Sequence, residues 1–334
     1  MAGTKKRNKN HKSLIAENRF KKTSISSLRN KSSQKKKSKS ASNSSSSSNF
    51  LIKFFKKITH FFLRIIWGLT WRTSLIIFLG ITSAVSYYYF NMKEFSSFLD
   101  ERARGSVTLE DYKGEVFAWR GDNFSKNLTA KNISPHLKNA ILATEDRGFY
   151  SHVGISPRGI GSAVFINLRE GRGPLSGHGG STITQQTAKL VCLGKPFSQA
   201  DWNSEKDYED SCRTSTIWRK IKEALYALSL EFKFSKDEIL TIYINRVFLG
   251  AGTRGFEAAA QRYFGKSAKI VNPSEAAMLA GLLKAPTRYA PTNNLKRSQE
   301  RANLIIGLME NQNFLSKAEA KFARENPATL SKFA

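Results

Sequence analysis

Ala143–Gly154 reads ATEDRGFYSHVG, and how this stretch is understood decides how the rest of the chain is read. Just upstream, Ser134-Pro135 has the form of a helix start, with serine as N-cap and proline at the first helical position. His136, Ala140 and Ala143 follow at helical spacing, so Glu145 and Asp146 arrive at the helix's C-terminal end. That end of the macrodipole is partly negative and disfavours a carboxylate, which raises its proton affinity. A carboxylate made more basic and set beside a loop suits a general base. Taken alone, an acidic pair at a helix end is an ordinary solvated feature, so the accompanying segments carry the argument.

The 334 residues bear a formal charge of +28, which at first sight suggests a nucleic-acid partner. The distribution argues against it. Residues 1–72 hold 19 Lys and Arg against the single acid Glu17, Thr73–Asn91 holds no charge, and the remainder is only +10. Residues 1–49, rich in Lys, Ser and Asn, have too little apolar surface to offset the entropy of ordering and are expected to be a disordered basic tail. They carry no nucleic-acid recognition motif, so no nucleic acid is expected as a partner. Residues 50–72 interleave aromatic and aliphatic side chains with Lys53, Lys56, Lys57 and Arg64, the pattern of a juxtamembrane amphipathic segment on anionic lipid. Residues 73–91, TSLIIFLGITSAVSYYYFN, make a helix of roughly 28 Å, close to the thickness of a bilayer's hydrocarbon core. Tyr87, Tyr88 and Tyr89 fall where an interfacial aromatic belt would lie. The segment reads as a single-pass anchor with a cytoplasmic amino terminus, because the positive charge precedes it. After a linker over 92–104, a catalytic domain is expected over 105–325, with a tail over 326–334.

Within the expected exported part, Ser106–Arg120 alternates apolar and polar residues around DYKG, a small β-hairpin. Nearly everything beyond is helical. Ser156-Pro157 is another helix start, and Gly171–Gly180 holds five glycines, a loop that moves or admits a ligand to the backbone. Ser181-Thr182 then caps STITQQTAKLV. Such a helix start presents free N–H groups and a positive dipole end to an anion, and Gln185 and Lys189, four apart, add an amide and a cation. Cys192 and Cys212 bound a polar stretch. A disulfide and two free thiols are both open to them; we expect the disulfide, whose loop closure would contribute roughly 3 kcal/mol. From Thr216 a long helix is predicted to bury a stripe of Ile217, Ile221, Ala224, Leu225, Leu228 and Phe232, leaving Arg219 and Glu223 as a solvated pair on the opposite face. Ser235…Glu238 is a capping box for a helix predicted to reach Gly250. Further helices are predicted from about Gly255 to Phe264, from Asn272-Pro273 to before Pro286, near 296–312, and near 317–325 after Ser316…Glu319.

Together these segments resemble the peptidoglycan glycosyltransferases of glycosyltransferase family 51, either monofunctional transglycosylases or the amino-terminal module of class A penicillin-binding proteins. The resemblance rests on five ordered motifs: Glu145-Asp146 with Phe149, His152 and Gly154; GGSTITQQ over Gly179–Gln186; RKIKE over Arg219–Glu223; ILTIYIN over Ile239–Asn245; and GFEAAAQRYFGK followed by EAAMLAGLLKAP. It implies a mainly α, lysozyme-like helical catalytic domain preceded by a single transmembrane helix and a small β-hairpin, set at the bacterial cytoplasmic (inner) membrane and facing the periplasm. The implied reaction joins lipid II disaccharides into a growing β-1,4 glycan strand, with inversion and release of undecaprenyl diphosphate. Glu145 would be the base and Glu223 the second acidic residue. Asp146, Phe149, His152, Gly180, Ser181, Thr182, Thr184, Gln185, Gln186, Lys189, Arg219, Lys220 and Asn245 would serve substrate binding, with Lys189, Gln185 and Gln186 at the diphosphate. No cofactor is obligatory. A divalent metal, magnesium or manganese, assists some members, but no dedicated ligand cluster is present in the sequence. Membrane lipid and cell-wall synthesis proteins are the implied partners. The segment from Cys192 to Arg213 is longer than is usual in the family, with Arg213 the approximate counterpart of a family arginine. A KTG motif is lacking and the SxxK at Ser32…Lys35 lies in the basic tail, so this chain is not expected to cross-link peptides. A lysozyme-like muramidase and an inactive scaffold are the alternative readings.

Overall fold

The computed structural model describes residues 46–100, 107–114, 116–120, 128–174, 179–214 and 216–332. The expected disordered tail lies outside the described residues as far as residue 45, and 46–49 already belong to a helix. By internal packing the chain divides into residues 1–67 and residues 68–334.

Helix α1 (Ser46–Asn91) begins in the first unit, where residues 52–67 are exposed throughout. Two elements were expected, an amphipathic segment and a spanning one, but the helix is continuous. Nothing in the sequence breaks it: Gly68 alone lowers helix propensity there, and no proline removes a backbone donor. Among the described residues it is the one helix long and apolar enough to cross a membrane, over Ile52–Asn91.

In the second unit, α2 (Phe95–Asp100) occupies part of the expected linker and is packed. Met92 and Phe98 are buried, Phe98 meets Phe234 edge-on, and the Phe98 and Met92 carbonyls accept from Arg246 Nε at 2.7 Å and Lys233 Nζ at 2.5 Å. The predicted hairpin is present as antiparallel β1 (Val107–Glu110) and β2 (Val116–Arg120). The helices that follow are α3 (Pro135–Glu145), α4 (Pro157–Arg169), α5 (Ile183–Leu190), α6 (Glu205–Arg213), α7 (Ile217–Lys233), α8 (Lys236–Arg246), α9 (Phe256–Phe264), α10 (Pro273–Leu282), α11 (Pro286–Tyr289), α12 (Leu295–Asn311) and α13 (Lys317–Glu325). The fold is mainly α, as the sequence led us to expect. Capping boxes open α5, α8, α10 and α13, each satisfying two otherwise unpaired N–H groups.

Helix α10 is buried all round, Ser274 to Leu282, and packs against α3, α9, α12 and α13. A second group sets α5 against α7 and α8. Two readings are corrected and one is borne out. Helix α8 stops at Arg246 rather than Gly250, because residues 247–254 fold back through a Phe248–Arg254 bridge. The stretch between the cysteines contains α6, capped by the Ser204 side chain, and is closed by the expected Cys192–Cys212 disulfide. Helix α7 is turned over relative to the prediction. Ile217, Ile221 and Phe232 are 73%, 45% and 70% exposed, while Glu223, Tyr226, Ala227, Ser229 and Leu230 are buried. The reason is its neighbour: Ser229 Oγ donates to Val85 O at 3.0 Å and Tyr226 packs on Tyr88, so α7 lies along the apolar end of α1. Leu228 and Phe232 line with Phe78, Ile81, Val85 and Tyr89 a groove of about 640 Å³.

The packing of α10 generates a stability test. Leu279 is fully buried, so Leu279→Ala should destabilise the second unit by about 2–5 kcal/mol through lost burial and a residual cavity. Urea unfolding followed by circular dichroism measures it; a change under about 0.5 kcal/mol contradicts a close-packed α10.

Candidate active site

The site is assembled at the end of α3. The Ser134 hydroxyl does not cap this helix; it donates instead to Val271 O at 2.8 Å, tying the helix start to the turn before α10. At the other end Gln312 Nε2 donates to Ala143 O at 3.1 Å, so the tip of α12 satisfies one of the last carbonyls of α3. Glu145 is thereby held in a fixed turn, half-buried.

Glu145 Oε2 accepts from Gln186 Nε2 at 2.8 Å, and Gln186 Oε1 accepts from the buried Tyr243 hydroxyl at 3.2 Å. Burial, rather than the helix end invoked above, is the main cause of Glu145's raised pKa. Asp146 adds to it, while the Gln186 hydrogen bond and the Arg301 charge oppose it. Tyr243 in turn is held well above the usual phenol range by burial and by Glu145. Tyr243 and Arg301 are the members that the sequence reading missed. Tyr243 sits inside ILTIYIN, two positions before Asn245, where a phenol in a mostly apolar run was the available signal.

Asp146 is spent on architecture. Its carboxylate contacts His152 Nε2 at 2.9 and 3.0 Å and accepts the Ile183 backbone N–H at 3.1 Å. Thus the amino end of α5, expected to await a ligand anion, already holds a protein one. Gln185 closes the capping box with Thr182, and the Thr182 hydroxyl also donates to Gly154 O at 2.5 Å. Thr184 donates to buried Glu231 at 2.5 Å. Phe149 is fully buried beneath the Lys236 ammonium, 4.5 Å from the ring centroid. Gly180 allows a close backbone approach, since a Cβ there would lie 2.7 Å from the Gly159 carbonyl carbon and oxygen. The Asn245 amide clamps the Leu128 backbone in both directions, accepting at 3.1 Å and donating at 2.7 Å. Each of these residues has a contact within the protein that holds the frame of the site.

A cluster of charged side chains gathers farther along α5 and at the start of α7. Glu223, read above as solvated, is 1% exposed; it pairs with Arg219 and, at 3.0 Å, with Lys220. Lys220 also donates to Ser181 Oγ at 3.1 Å. Lys189 is half-buried, and its pKa is lowered first by desolvation, then by Arg219, Lys220 and Arg213, with Glu223 opposing. Three cations, Lys189, Arg219 and Lys220, therefore gather around one carboxylate, while Arg213 pairs with Glu209 at 3.4 Å; the cluster keeps an excess of positive charge that a phosphate-bearing ligand would balance. Gln186 and Lys189 are three apart on α5, so one helix face joins Glu145 to this cluster. A general base and an anion cradle are the two chemical capacities of the arrangement. Among the described residues no group of three or more His, Cys, Asp or Glu is placed to hold a metal ion, and Asp146 is fully engaged. These residues do not fit a dedicated metal centre.

Glu145 also carries a stability consequence. Its folded pKa lies above the unfolded value, so the folded state binds more protons and stability falls as pH rises from the unfolded to the folded pKa. Glu145→Gln removes that loss. Thermal melts should show the variant more stable than wild type at neutral pH, with the gap closing in acid; equal melting across the range contradicts a buried, raised carboxylate.

Comparison with known proteins bears on this geometry. Residues 113–310 match the Transglycosylase family, more than half of the chain. The chain is 38% identical over 222 residues to Penicillin-binding protein 1A of Aquifex aeolicus, covering 66% of this chain and 28% of that protein. With Penicillin-binding protein 1A of Haemophilus influenzae the identity is 40% over 218 residues, covering 65% and 23%. With that of Escherichia coli it is 31% over 246 residues, covering 73% and 26%. The chain thus spans roughly a quarter of the length of these curated relatives. A crystal structure of Penicillin-Binding Protein 1A from Haemophilus influenzae aligns over 69% of this chain and 22% of that chain, at 24% identity and a TM-score of 0.35. With the family match extending over more than half of its length, the chain belongs to the transglycosylase family.

Proposed function

We propose that this chain is a peptidoglycan glycosyltransferase, which joins lipid II disaccharides into β-1,4 glycan with inversion and releases undecaprenyl diphosphate. The observation that carries this reading is the joining, along one face of α5, of basic Glu145 to the cations around Glu223. The acceptor sugar hydroxyl is a poor nucleophile until its proton is removed during attack, and Glu145, raised by burial, is the group to take it. Gln186 orients that carboxylate and Tyr243 orients Gln186. On the donor side the leaving diphosphate gains negative charge as the glycosidic bond breaks. Arg219 and Lys220, paired with Glu223, and the nearby Lys189 stabilise that charge more in the transition state than in the ground state. Glu223 acts here by holding cations, so no glycosidase-like pair of carboxylates is required. A hydrolase of finished glycan would have no anionic leaving group for this cluster.

A lipid-linked substrate also accounts for the exposed apolar side chains. Ile217, Ile221 and Phe232 on α7 and Ile160, Phe165 and Leu168 on α4 face outward, and a bilayer rather than water is the solvent that suits them. The basic segment before the apolar helix supports an amino terminus in the cytoplasm and a catalytic domain in the periplasm. Protease added to spheroplasts should then digest the carboxy-terminal domain and spare the basic tail; a protected domain reverses the assignment.

Purified, detergent-solubilised protein incubated with lipid II should make glycan strands that resolve on a gel and disappear with muramidase. Glu145→Gln should lower turnover by about 10²–10⁴-fold with circular dichroism unchanged. Lys189→Ala should lower it by about 10²–10³-fold. A folded Glu145→Gln protein that polymerises at the wild-type rate removes Glu145 from the mechanism.

A further inference from the structure

We propose that the Cys192–Cys212 disulfide is a positioning element of the catalytic cation cluster, a strap that fixes Arg219 against Glu223 and Lys189. The inference rests on the function proposed above and adds a device that neither the motifs nor the relatives assign.

One end of the strap is set at the end of α5, three residues after Lys189. Cys192, Leu193 and Gly194 there have φ of 51°, 55° and 78°, a left-handed run that only Gly194 adopts without steric cost. Side chains other than glycine persist in that region only where the surroundings over-determine them. Here Cys192 is held by its covalent bond to Cys212. The Tyr226 ring packs against Gly194 so closely that a Cβ would lie 2.7 Å from its hydroxyl oxygen. At the other end, the Cys212 carbonyl accepts from Arg219 Nη1 at 3.3 Å, and the same guanidinium pairs with Glu223. The two cysteine Cα atoms are 5.3 Å apart. A single bond thus connects the turn behind Lys189 to the carbonyl that orients Arg219.

The span between the cysteines is itself braced. Tyr208 donates to Lys195 O at 2.6 Å and meets the rings of Phe197 and Trp202. Glu209 takes Arg254 at 2.6 Å through both carboxylate oxygens. Strap and cluster together enclose a cavity of about 320 Å³, lined by Lys189, Trp202, Trp218, Arg219 and Glu223. The strap is therefore a wall of the anion cradle, and its closure sets where the Arg219 charge sits. A misplacement of about 1 Å in such a group can cost about 100-fold in rate.

The test is a double-mutant cycle on lipid II polymerisation, with kcat and KM measured separately. The paired variant Cys192→Ser/Cys212→Ser should lower kcat/KM by about tenfold or more in the otherwise native protein. In an Arg219→Ala background the same pair should cost no more than about threefold, since its effect passes through Arg219. A strap that only stabilises the fold would lower both backgrounds equally. That additivity, or an unchanged kcat/KM in the folded serine pair, overturns the proposal. If the serine pair does not fold, the intact protein assayed before and after reduction with TCEP, and again after reoxidation, supplies the same comparison. Binding of farnesyl diphosphate in detergent is read in parallel. A wild type that binds it but does not polymerise lipid II sinks the proposed function alone. A wild type that polymerises lipid II, with a kcat/KM that opening the strap leaves unchanged, sinks this inference alone.

Discussion

The interaction on which the rest of the site depends is the carboxylate of Asp146 at the amino end of α5. One side chain accepts the first N–H of that helix and contacts His152, so the end of α3, the turn through Gly154 and the start of α5 become one unit. A helix start is a partial positive charge with unpaired donors, and a buried carboxylate needs partners of that kind. Each satisfies the other. The consequence is positional: with α5 docked at its first residue, Gln186 arrives one turn later against Glu145 and Lys189 a further turn on, beside α7. Asp146 and Glu145 are adjacent in sequence and opposite in role, because one is fully partnered and the other keeps a basic, half-buried carboxylate.

Electrostatics at the far end of α5 follows a different logic. Glu223 is buried among Arg219, Lys220 and Lys189, and removal from water is costly for every one of those charges unless they are mutually compensated. One carboxylate does not balance them, and the remaining positive field is available to a ligand. The lowered proton affinity of Lys189 comes first from desolvation and then from the neighbouring cations. A site arranged in this way is preorganised for negative charge before any ligand arrives, which is what a charged leaving group requires.

Helix α7 shows how solvent defines amphipathicity. Its apolar stripe was assigned to the core on the assumption that water bathes the other face. In the structure Ile217, Ile221 and Phe232 of that stripe are exposed, and the buried face carries Glu223, Ser229 and Tyr226, the last two against the apolar end of α1. The hydrophobic period was read correctly and its orientation was not, because a period reports a face and says nothing about the medium that face meets.

Much of the local structure was legible from residues alone. Proline and serine at helix starts, the Ser-x-x-Glu boxes and the DYKG turn act within a few residues, so they place α3, α4, α8, α13 and the hairpin without reference to anything distant. The five motifs, read in order, also identified the family and singled out Glu145, Lys189 and Glu223. What only the tertiary structure decided were the contacts made across the chain. Asp146 fills the α5 start that was expected to be empty; Gln185 and Asn245 are committed to backbone; Tyr243 and Arg301 reach Glu145 from distant helices; and Glu223 lies inside. The physical reason is that burial and partner choice depend on which surfaces meet. A sequence specifies a residue's own chemistry and its neighbours within a turn, whereas proton affinity, accessibility and free charge are set by groups that folding brings from elsewhere.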